Sequence, residues 1–443
     1  MSASEKRRDP EDGKLYTFED FSTYYASLKY GKKAIKAYWD ACTVIQAKAK
    51  AKTKAKAKEA AAPKATPKAR GDKPVYREKK VNMEDLPQEG LCVCGEALID
   101  MLPCSSSDGH SAFRWVFGGS PFNCCIAAHR LGLPVSFLGG LSTDLFGEKL
   151  RGHLQREGVD LQLAPSFPNP TTLAFVSREE GKGEQYAFFK ENSADRSITK
   201  AIVAKAMNQK RFRAVHMSLG AVTLEDQKCS EAFDTFFRIA AKQGALRCFD
   251  PNIRANMIKQ GGAKYSKLIE KLLRSVDLAK TSEEDAEFMY GEGVSLETIA
   301  AKWLKLGPKM VVFTLGSKGC VAFASGEGAE LIQKSMTLPE QCSGGKTMDA
   351  EGKVAPVADT VGAGDTFMGG LITGCLGSVE TTLLPQLVQK QPFTEKEAEL
   401  IEDVLKLAVT TAAINCSRTG ANPPTRIEVE KAMGGNTFKQ LKL

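Results

Sequence analysis

From Leu91 onward, short apolar runs alternate with longer segments whose apolar residues recur every three or four positions. The short runs, which are typical of buried strands, are LCVCGEAL, PVSFLGGL, AVHMSL, ALRCFDP, DLAKTS and MVVFTLG. Segments such as AFDTFFRIAAKQG and YSKLIEKLLRSV have helical spacing, and the stripe Phe233, Phe236, Phe237 and Ala240 is expected to face the core. This alternation predicts an α/β fold with a doubly wound, mostly parallel sheet flanked by helices.

One segment departs from the alternation. TTLAFVSREEGKGEQYAFFK contains two runs of strand-forming residues around a glycine-rich turn, which predicts a hairpin. We interpret this hairpin as a flap rather than as part of the main sheet.

The first 45 residues have a different texture from the rest. Aromatic and aliphatic residues recur there at spacings of three and four, which predicts two short amphipathic helices around Gly31. Thr17 followed by Asp20 is a capping pattern for the first of them. We interpret residues 1–45 as a helical docking module, with a dedicated partner-binding module as the alternative.

Residues 46–89 are rich in lysine, alanine and proline. Lysine alternates mostly with alanine from Lys48 to Lys58, and the repulsion of like charges predicts a solvated linker. Because such tracts release counterions when they bind polyanions, a tail that binds nucleic acid or anionic membranes through residues 46–74 is the alternative. Residues 1–90 contain 21 Lys and Arg against 13 Asp and Glu, which accounts for the whole net charge of +8. The remainder is neutral and gives no electrostatic argument for nucleic-acid binding.

Bulk properties restrict the compartment and the class of protein. The apolar fraction of 42% suffices for a core, and no run approaches the roughly 18 apolar residues of a membrane span. The twelve cysteines have no zinc-ligand spacing, which indicates free thiols in a reducing compartment. The first residues have no apolar run of the kind found in a signal peptide. We expect a soluble cytoplasmic protein, with a plastid protein as the alternative.

The strongest chemical motif is DTVGAGDTF, residues 359–367. Gly362, Ala363 and Gly364 lack bulk and precede an apolar segment that suits a buried helix, so their amides and the helix dipole form a site for an anion. Asp365 would then lie beside a bound phosphate, where its carboxylate can accept a proton from an attacking hydroxyl. The alternative is an ordinary glycine turn in which Asp365 only caps the helix.

Five segments together resemble the ribokinase family of carbohydrate kinases, the PfkB type, over residues 90–430. They are GGSPFN at 118–123, DPNIR at 250–254, TLGSKG at 314–319, DTVGAGDTF at 359–367 and NCSRTGA at 415–421. The resemblance is greatest to the fructokinase branch, and it implies transfer of a phosphoryl group from ATP to a primary hydroxyl, with fructose 6-phosphate as the product. It also implies a ribokinase-like domain over residues 90–435, with a small β-sheet lid drawn from about residues 110–118 and 171–191.

The resemblance implies roles for individual residues. Asp365 would be the catalytic base, and the amides of Gly362, Ala363 and Gly364 would form the anion hole. Sugar-binding residues would be Asp100, Gly119, Asn123 and Asp195, and nucleotide-binding residues would be Thr314, Gly316 and Asn415. Glu284 would order Mg²⁺, which arrives with ATP, and Asp359 would face a monovalent cation such as K⁺.

Some positions depart from the family pattern. Thr281 stands where the family often has Asn before the metal-ordering glutamate, which bears on the role of Glu284. Phe122 is bulkier than the usual residue there and is expected to reshape the sugar pocket. Gly345-Lys346-Thr347 superficially resembles a P-loop, but position 340 is Glu340 rather than glycine, so we reject that motif.

The sequence leaves a second function open. A chain of this kind can instead be a catalytically weak, fructokinase-like structural subunit of a plastid transcription complex or another nucleic-acid complex. The basic extension fits that alternative, whereas the intact set Gly362–Asp365 favours an enzyme. The partners expected for the enzyme are ATP and a small sugar, and a homodimer stays open.

Overall fold

The computed structural model describes residues 7–8, 15–27, 39, 43–44, 88–179, 183–220, 223–377, 382–389 and 391–434. Contacts divide the chain into two units, Met1–Arg77 and Glu78–Leu443. The second helix expected after Gly31 and the linker at 46–87 lie outside the described residues.

The described residues of the first unit include a short antiparallel sheet and a helix. Its elements are β1 (Arg7–Arg8), β2 (Leu15–Tyr16), α1 (Phe18–Ser27) and β3 (Thr43–Val44). Helix α1 begins as its capping pattern predicts, because the amide of Asp20 donates to Thr17 Oγ1 at 3.2 Å. Phe21 is buried and contacts the ring of Trp39 edge-on, with centroids 5.2 Å apart.

The second unit contains an eight-stranded sheet. Its strands are β4 (Gln88–Cys94), β7 (Val135–Leu138), β12 (Arg211–Ser218), β13 (Leu246–Asp250), β14 (Leu278–Ser282), β15 (Met310–Thr314), β16 (Cys320–Ser325) and β17 (Leu331–Met336). They lie side by side in the order β17-β16-β15-β14-β13-β12-β4-β7. The six strands from β15 to β7 in this order are parallel, and β16 and β17 extend the sheet in antiparallel fashion.

Helices cover both faces of this sheet. They are α2 (Ser120–Arg130), α3 (Leu145–Glu157), α4 (Lys200–Met207), α5 (Gln227–Gln243), α6 (Gly262–Leu273), α7 (Glu283–Tyr290), α8 (Leu296–Leu306), α9 (Ala363–Leu376), α10 (Leu384–Leu387), α11 (Glu395–Cys416) and α12 (Arg426–Ala432). Leu91 and Val93 of β4 pack with α2, α9 and α11, while Cys92 and Cys94 face the α5 side. Burial of both faces explains why β4 has an unbroken apolar run.

A second sheet has four strands, β5 (Leu98–Ser105), β6 (Ser111–Gly118), β10 (Leu173–Glu179) and β11 (Gly183–Phe189). They lie side by side in the order β11-β10-β5-β6. The predicted hairpin forms as β10 and β11 in antiparallel register. The single strand expected for LCVCGEAL is wrong, because β4 ends at Cys94 and Leu98 begins a strand of the small sheet. Gly95 lies between them with φ 148°, and a Cβ there would lie 2.4 Å from Pro121 Cγ.

The remaining strands form two short pairs. These are β8 (Leu141–Ser142) with β9 (Ser166–Phe167), and β18 (Lys346–Met348) with β19 (Val354–Pro356). The stripe Phe233, Phe236, Phe237 and Ala240 is buried, as its spacing predicts. Among the described residues, no helix combines the length and apolar character needed to cross a membrane. The large, mostly parallel sheet between helices and the separate small sheet confirm the predicted fold class.

Candidate active site

A cavity of about 210 Å³ lies where the carboxyl ends of β4, β12 and β13 meet the N-termini of α2 and α9. This edge of a parallel sheet is where ligands bind in doubly wound folds. The small sheet contributes Leu98, Asp100, Tyr186 and Phe188 to the wall. The cavity brings together seven of the residues predicted from the sequence, namely Asp100, Gly119, Asn123, Gly362, Ala363, Gly364 and Asp365.

Asp365 occupies the first turn of α9 and is held from the side. Asn123 Nδ2 donates to its carboxylate at 2.8 Å. Burial raises the pKa of Asp365, although hydrogen bonds from Ser120 and Asn123 and the nearby Lys280 oppose the rise. Helix α9 starts at an N-cap glycine, Gly362, and has no side-chain cap bond. The alternative that Asp365 only caps the helix is therefore wrong.

The loop before α9 leaves room for an anion. Gly362 has φ 72°, and a Cβ there would lie 2.6 Å from Ala421 Cβ, so only glycine fits. The amide of Ala363 donates to the Thr360 carbonyl at 3.2 Å, so the turn itself engages one of the three amides expected to bind an anion. At the N-terminus of a 14-residue helix, the amides and the helix dipole favour a negative charge.

Asp359 and Asn415 brace this loop. The Asp359 carboxylate accepts from the amides of Val361 at 3.1 Å and Gly420 at 3.0 Å. Asn415 Nδ2 donates to the Val361 carbonyl at 3.0 Å, and Asn415 Oδ1 accepts from the Asn422 amide at 2.8 Å. Asn415 is fully buried. The predicted contact between Asn415 and a nucleotide is not supported, because its side chain is used within the fold.

Asp100 lies on the small sheet and faces the cavity. It pairs in register with Val116 and Ala174. A Cβ added to the neighbouring Gly118 would lie 2.0 Å from Asp100 Oδ2, so the carboxylate occupies the space that this glycine leaves open.

Several polar residues of the cavity wall were not predicted from the sequence, among them Glu96, Asn252 and Arg254. Asn252 has φ 37°, and its Nδ2 donates to the Leu219 carbonyl at 3.0 Å. Its Oδ1 accepts from Arg254 Nη1 at 2.8 Å, and the guanidinium lies 5.7 Å from the Tyr186 ring centroid. The segment DPNIR contains both Asn252 and Arg254 and contributed to the family resemblance, but no role in the site was predicted for either residue.

Three further predicted residues, Asp195, Thr314 and Gly316, also lie apart from the cavity. Asp195 is buried and accepts from Thr172 Oγ1 at 2.9 Å, and burial raises its pKa. Thr314 ends β15 and Gly316 follows it with φ 58°. Neither Thr314 nor Gly316 lines the cavity.

Phe122 does not line the cavity. Its side chain is 1% exposed and packs against Phe117 and His153, whose rings stack on each other 4.5 Å apart. The expected effect of Phe122 on the sugar pocket stays a prediction.

Glu284 is exposed on the first turn of α7 and does not line the cavity, and its role in ordering Mg²⁺ stays a prediction. The next residue, Asp285, turns inward and accepts from the Ile253 amide at 3.2 Å. Burial, together with Asp250, raises the pKa of Asp285 to about 7. Lys280 lies beside these carboxylates, with its Nζ 2.9 Å from Asp250 Oδ2.

Comparisons with known proteins agree with this geometry. A family model described as pfkB family carbohydrate kinase matches residues 88–428. A fructokinase of Rhizobium leguminosarum bv. trifolii is 34% identical over 282 residues, which cover 64% of this chain and 78% of the relative. A crystal structure of the fructokinase from Xylella fastidiosa with bound ATP superposes with a TM-score of 0.59 at 23% identity, covering 78% of this chain and 98% of that one. The fructokinase from Vibrio cholerae O395 in a form with fructose, ADP and calcium ion gives a TM-score of 0.57 at 22% identity, covering 76% of this chain and 94% of that one.

Proposed function

This chain belongs to the pfkB family of carbohydrate kinases, and from that premise we propose that it transfers the γ-phosphoryl group of ATP to the 6-hydroxyl of fructose. One observation carries the proposal. Asp365 lies in the first turn of α9, behind the small-residue loop Gly362–Gly364, and shares a cavity with Asp100 and Asn123. A base, an anion site and polar groups for an acceptor are the parts that phosphoryl transfer needs.

In the proposed mechanism, the small sheet and the helix termini hold the acceptor. Asp100, Gly119 and Asn123 bind the sugar so that its primary hydroxyl faces Asp365. The carboxylate accepts the hydroxyl proton as the oxygen attacks the γ-phosphorus. Its raised pKa makes it a stronger base than an exposed aspartate.

The loop before α9 and the end of β15 serve the nucleotide in this proposal. The amides of Gly362 and Gly364, with the dipole of α9, stabilise the charge on the transferring phosphoryl group. Thr314 and Gly316 stand on the nucleotide side, and Asn415 acts by holding Val361 in place. Closure of the small sheet over the acceptor would exclude water, which competes as an acceptor.

Magnesium fits this site as a partner of ATP. Among the described residues, no three His, Cys, Asp or Glu side chains form a ready-made metal cage. Glu284 and its neighbour Asp285 nevertheless offer carboxylate oxygens, the ligands that Mg²⁺ prefers alongside phosphates. When bound, the ion would neutralise charge on the phosphates, and Glu284 and Asp285 are the residues proposed to hold it. A K⁺ ion beside Asp359 stays a prediction.

Fructose is the preferred acceptor in this proposal for three reasons. The segments SAD at 193–195, DPNIR and NCSRTGANPP resemble fructokinases more than ribokinases or adenosine kinases. A relative named fructokinase is 34% identical to this chain. Glu96, Asn252 and Arg254 add polar groups that can bind several hydroxyls of a hexose.

A phosphorylation assay tests the proposal. The full chain is incubated with MgATP and, separately, fructose, glucose, ribose and adenosine, and ADP formation is followed. Fructose should give the highest kcat/KM. A higher value for ribose or adenosine would contradict the choice of sugar. Absence of turnover with every acceptor would favour the structural-subunit alternative.

A further inference from the structure

Lys280 is a buried cation that the mechanism above does not use. It lies on β14, a strand whose first four residues are all buried. Its side chain is 6% exposed and that of its partner Asp250 is 2% exposed, with Nζ and Oδ2 2.9 Å apart. Burying such a pair removes two charges from water, and apolar residues of similar size often stabilise a fold as well or better. The pair therefore has no obvious purpose in stability alone.

The position of the ammonium points to the anion site. A Cβ built on Gly364 would have Lys280 Nζ as its nearest neighbour, 3.2 Å away. The lysine therefore lies against the loop that opens α9, where Gly364 lines the cavity. An ammonium has three N–H donors, and the bond to Asp250 uses one of them.

Asp250 is held so that it can keep this lysine in place. Its Oδ1 accepts from the Asn252 amide at 3.0 Å, while Oδ2 accepts from Lys280. Asp250 thus stays fixed at the end of β13 when an anion approaches the ammonium.

The surrounding charges keep Lys280 protonated. Burial by itself lowers the pKa of Lys280, but Asp250, Asp285 and Asp365 outweigh it, and the pKa lies above its usual value. Lys280 in turn lowers the pKa of Asp365, which favours the ionised base. Other titratable groups facing the cluster include Cys124 of α2 and His216 of β12. Burial raises the thiol pKa of Cys124 well above its ordinary value and lowers the pKa of His216 to about 4.

We propose that Lys280 is a catalytic residue whose ammonium binds the phosphoryl group during transfer, beside Gly364. The acceptor oxygen forms its bond to the γ-phosphorus as the bond from that phosphorus to the bridging oxygen of ADP breaks. The hydroxyl proton goes to Asp365, and Lys280 keeps its own protons while it neutralises charge on the equatorial oxygens. This inference rests on the proposed phosphoryl transfer.

The test uses the full chain and three sets of variants. Lys280→Met leaves Asp250 buried without its partner, so the double variant Lys280→Met/Asp250→Asn restores a neutral pair and guards against misfolding. Arg247→Met is a matched control, because Arg247 Nε donates to Asp277 Oδ2 at 2.8 Å at the opposite ends of the same two strands. Each variant is assayed for kcat with fructose and for binding of ADP with aluminium fluoride and fructose, which mimics the phosphoryl group in transfer.

Both Lys280 variants should lose about 10²–10³-fold in kcat, the usual effect of removing one group that stabilises transition-state charge. They should also lose the tightening of ADP binding by aluminium fluoride, while Arg247→Met keeps both. A folded double variant with more than about a tenth of the wild-type kcat would overturn the inference, as would an equal loss in Arg247→Met. If the wild-type chain phosphorylates none of the sugars, the proposed function fails and this inference fails with it. If only the inference about Lys280 is wrong, the wild-type chain still phosphorylates fructose and the folded double variant does so at a similar rate.

Discussion

Asn123 Nδ2 donates to the carboxylate of Asp365 at 2.8 Å, although 242 residues separate the two along the chain. The bond joins the first turns of α2 and α9, the two helices that open at the cavity. The motifs GGSPFN and DTVGAGDTF therefore form one site, and the bond from Asn123 fixes the orientation of the Asp365 carboxylate.

The position of the Asp100 carboxylate depends on residue 118 being glycine. Because a Cβ at Gly118 would lie 2.0 Å from Asp100 Oδ2, Gly118→Ala should displace the carboxylate from the cavity. The expected result is a KM for fructose raised about tenfold or more, a loss of about 1.4 kcal/mol, with the KM for ATP unchanged. Gly152→Ala, in the interior of α3, is the control and should leave both constants unchanged. An unaltered KM for fructose in Gly118→Ala would argue that Asp100 does not bind the sugar.

Asn415 should matter through the loop it holds. Asn415→Ala leaves the Val361 carbonyl and the Asn422 amide without their partner inside the protein, and each such loss costs about 1–3 kcal/mol. We expect a lower melting temperature and a higher KM for ATP, measured by thermal denaturation and initial rates. Asn415→Asp should keep the bond from Asn422 but lose the one to Val361 and bury a carboxylate, so its melting temperature should fall at least as far as that of Asn415→Ala. Wild-type kinetics in both variants would remove this role.

Asp285 should make stability depend on pH. Its pKa is raised from 3.8 to about 7 in the folded state, so between these values the folded protein binds more protons than the unfolded chain. Stability contributed by the protonated carboxyl is thus present at acidic pH and is lost as pH rises toward 7. Asp285→Asn should therefore raise the melting temperature relative to wild type more at pH 8 than at pH 5. A difference of equal size at both pH values would contradict the raised pKa.

The extension should be dispensable for catalysis. All residues that line the cavity lie at or beyond Glu96, and the main sheet begins at Gln88. Deleting residues 1–85 should leave kcat and KM for fructose unchanged and should lower the salt concentration at which the protein leaves a heparin column, because the excess of basic residues is removed. If the truncated chain melts normally but loses turnover, the extension belongs to the catalytic unit.

The sequence allowed the fold class and the centre of the site to be predicted, since both rest on local patterns. The alternation of apolar runs identifies buried strands, and the small residues before Asp365 identify the start of a helix at a ligand. The residues 362–365 are contiguous, so their mutual geometry follows from one turn.

Other features depended on burial that the sequence does not display. On the first turn of α7, a shift of one residue separates the exposed Glu284 from the inward-facing Asp285. Asn415 lies in the segment NCSRTGA beside more exposed residues. Only its hydrogen bond to Val361 in the folded protein shows that it holds the loop before α9. Lys280 places a charge in a segment predicted to be a buried strand, but the sequence does not show which carboxylate partners it or that it lies beside Gly364.

The most direct test of the account is the turnover of Asp365→Asn with fructose. Asparagine has nearly the same shape and can stay beside Asn123, but it cannot accept a proton at neutral pH. General-base catalysis contributes about 10²–10⁴-fold, or roughly 3–5 kcal/mol of barrier. ATP affinity should be unchanged or slightly higher, because a negative charge beside the phosphates is removed. The account predicts a folded variant, judged by its melting curve, that binds ATP and has less than about one hundredth of the wild-type kcat. A folded variant that keeps more than about a tenth of the wild-type kcat would contradict the assignment of Asp365 as the base.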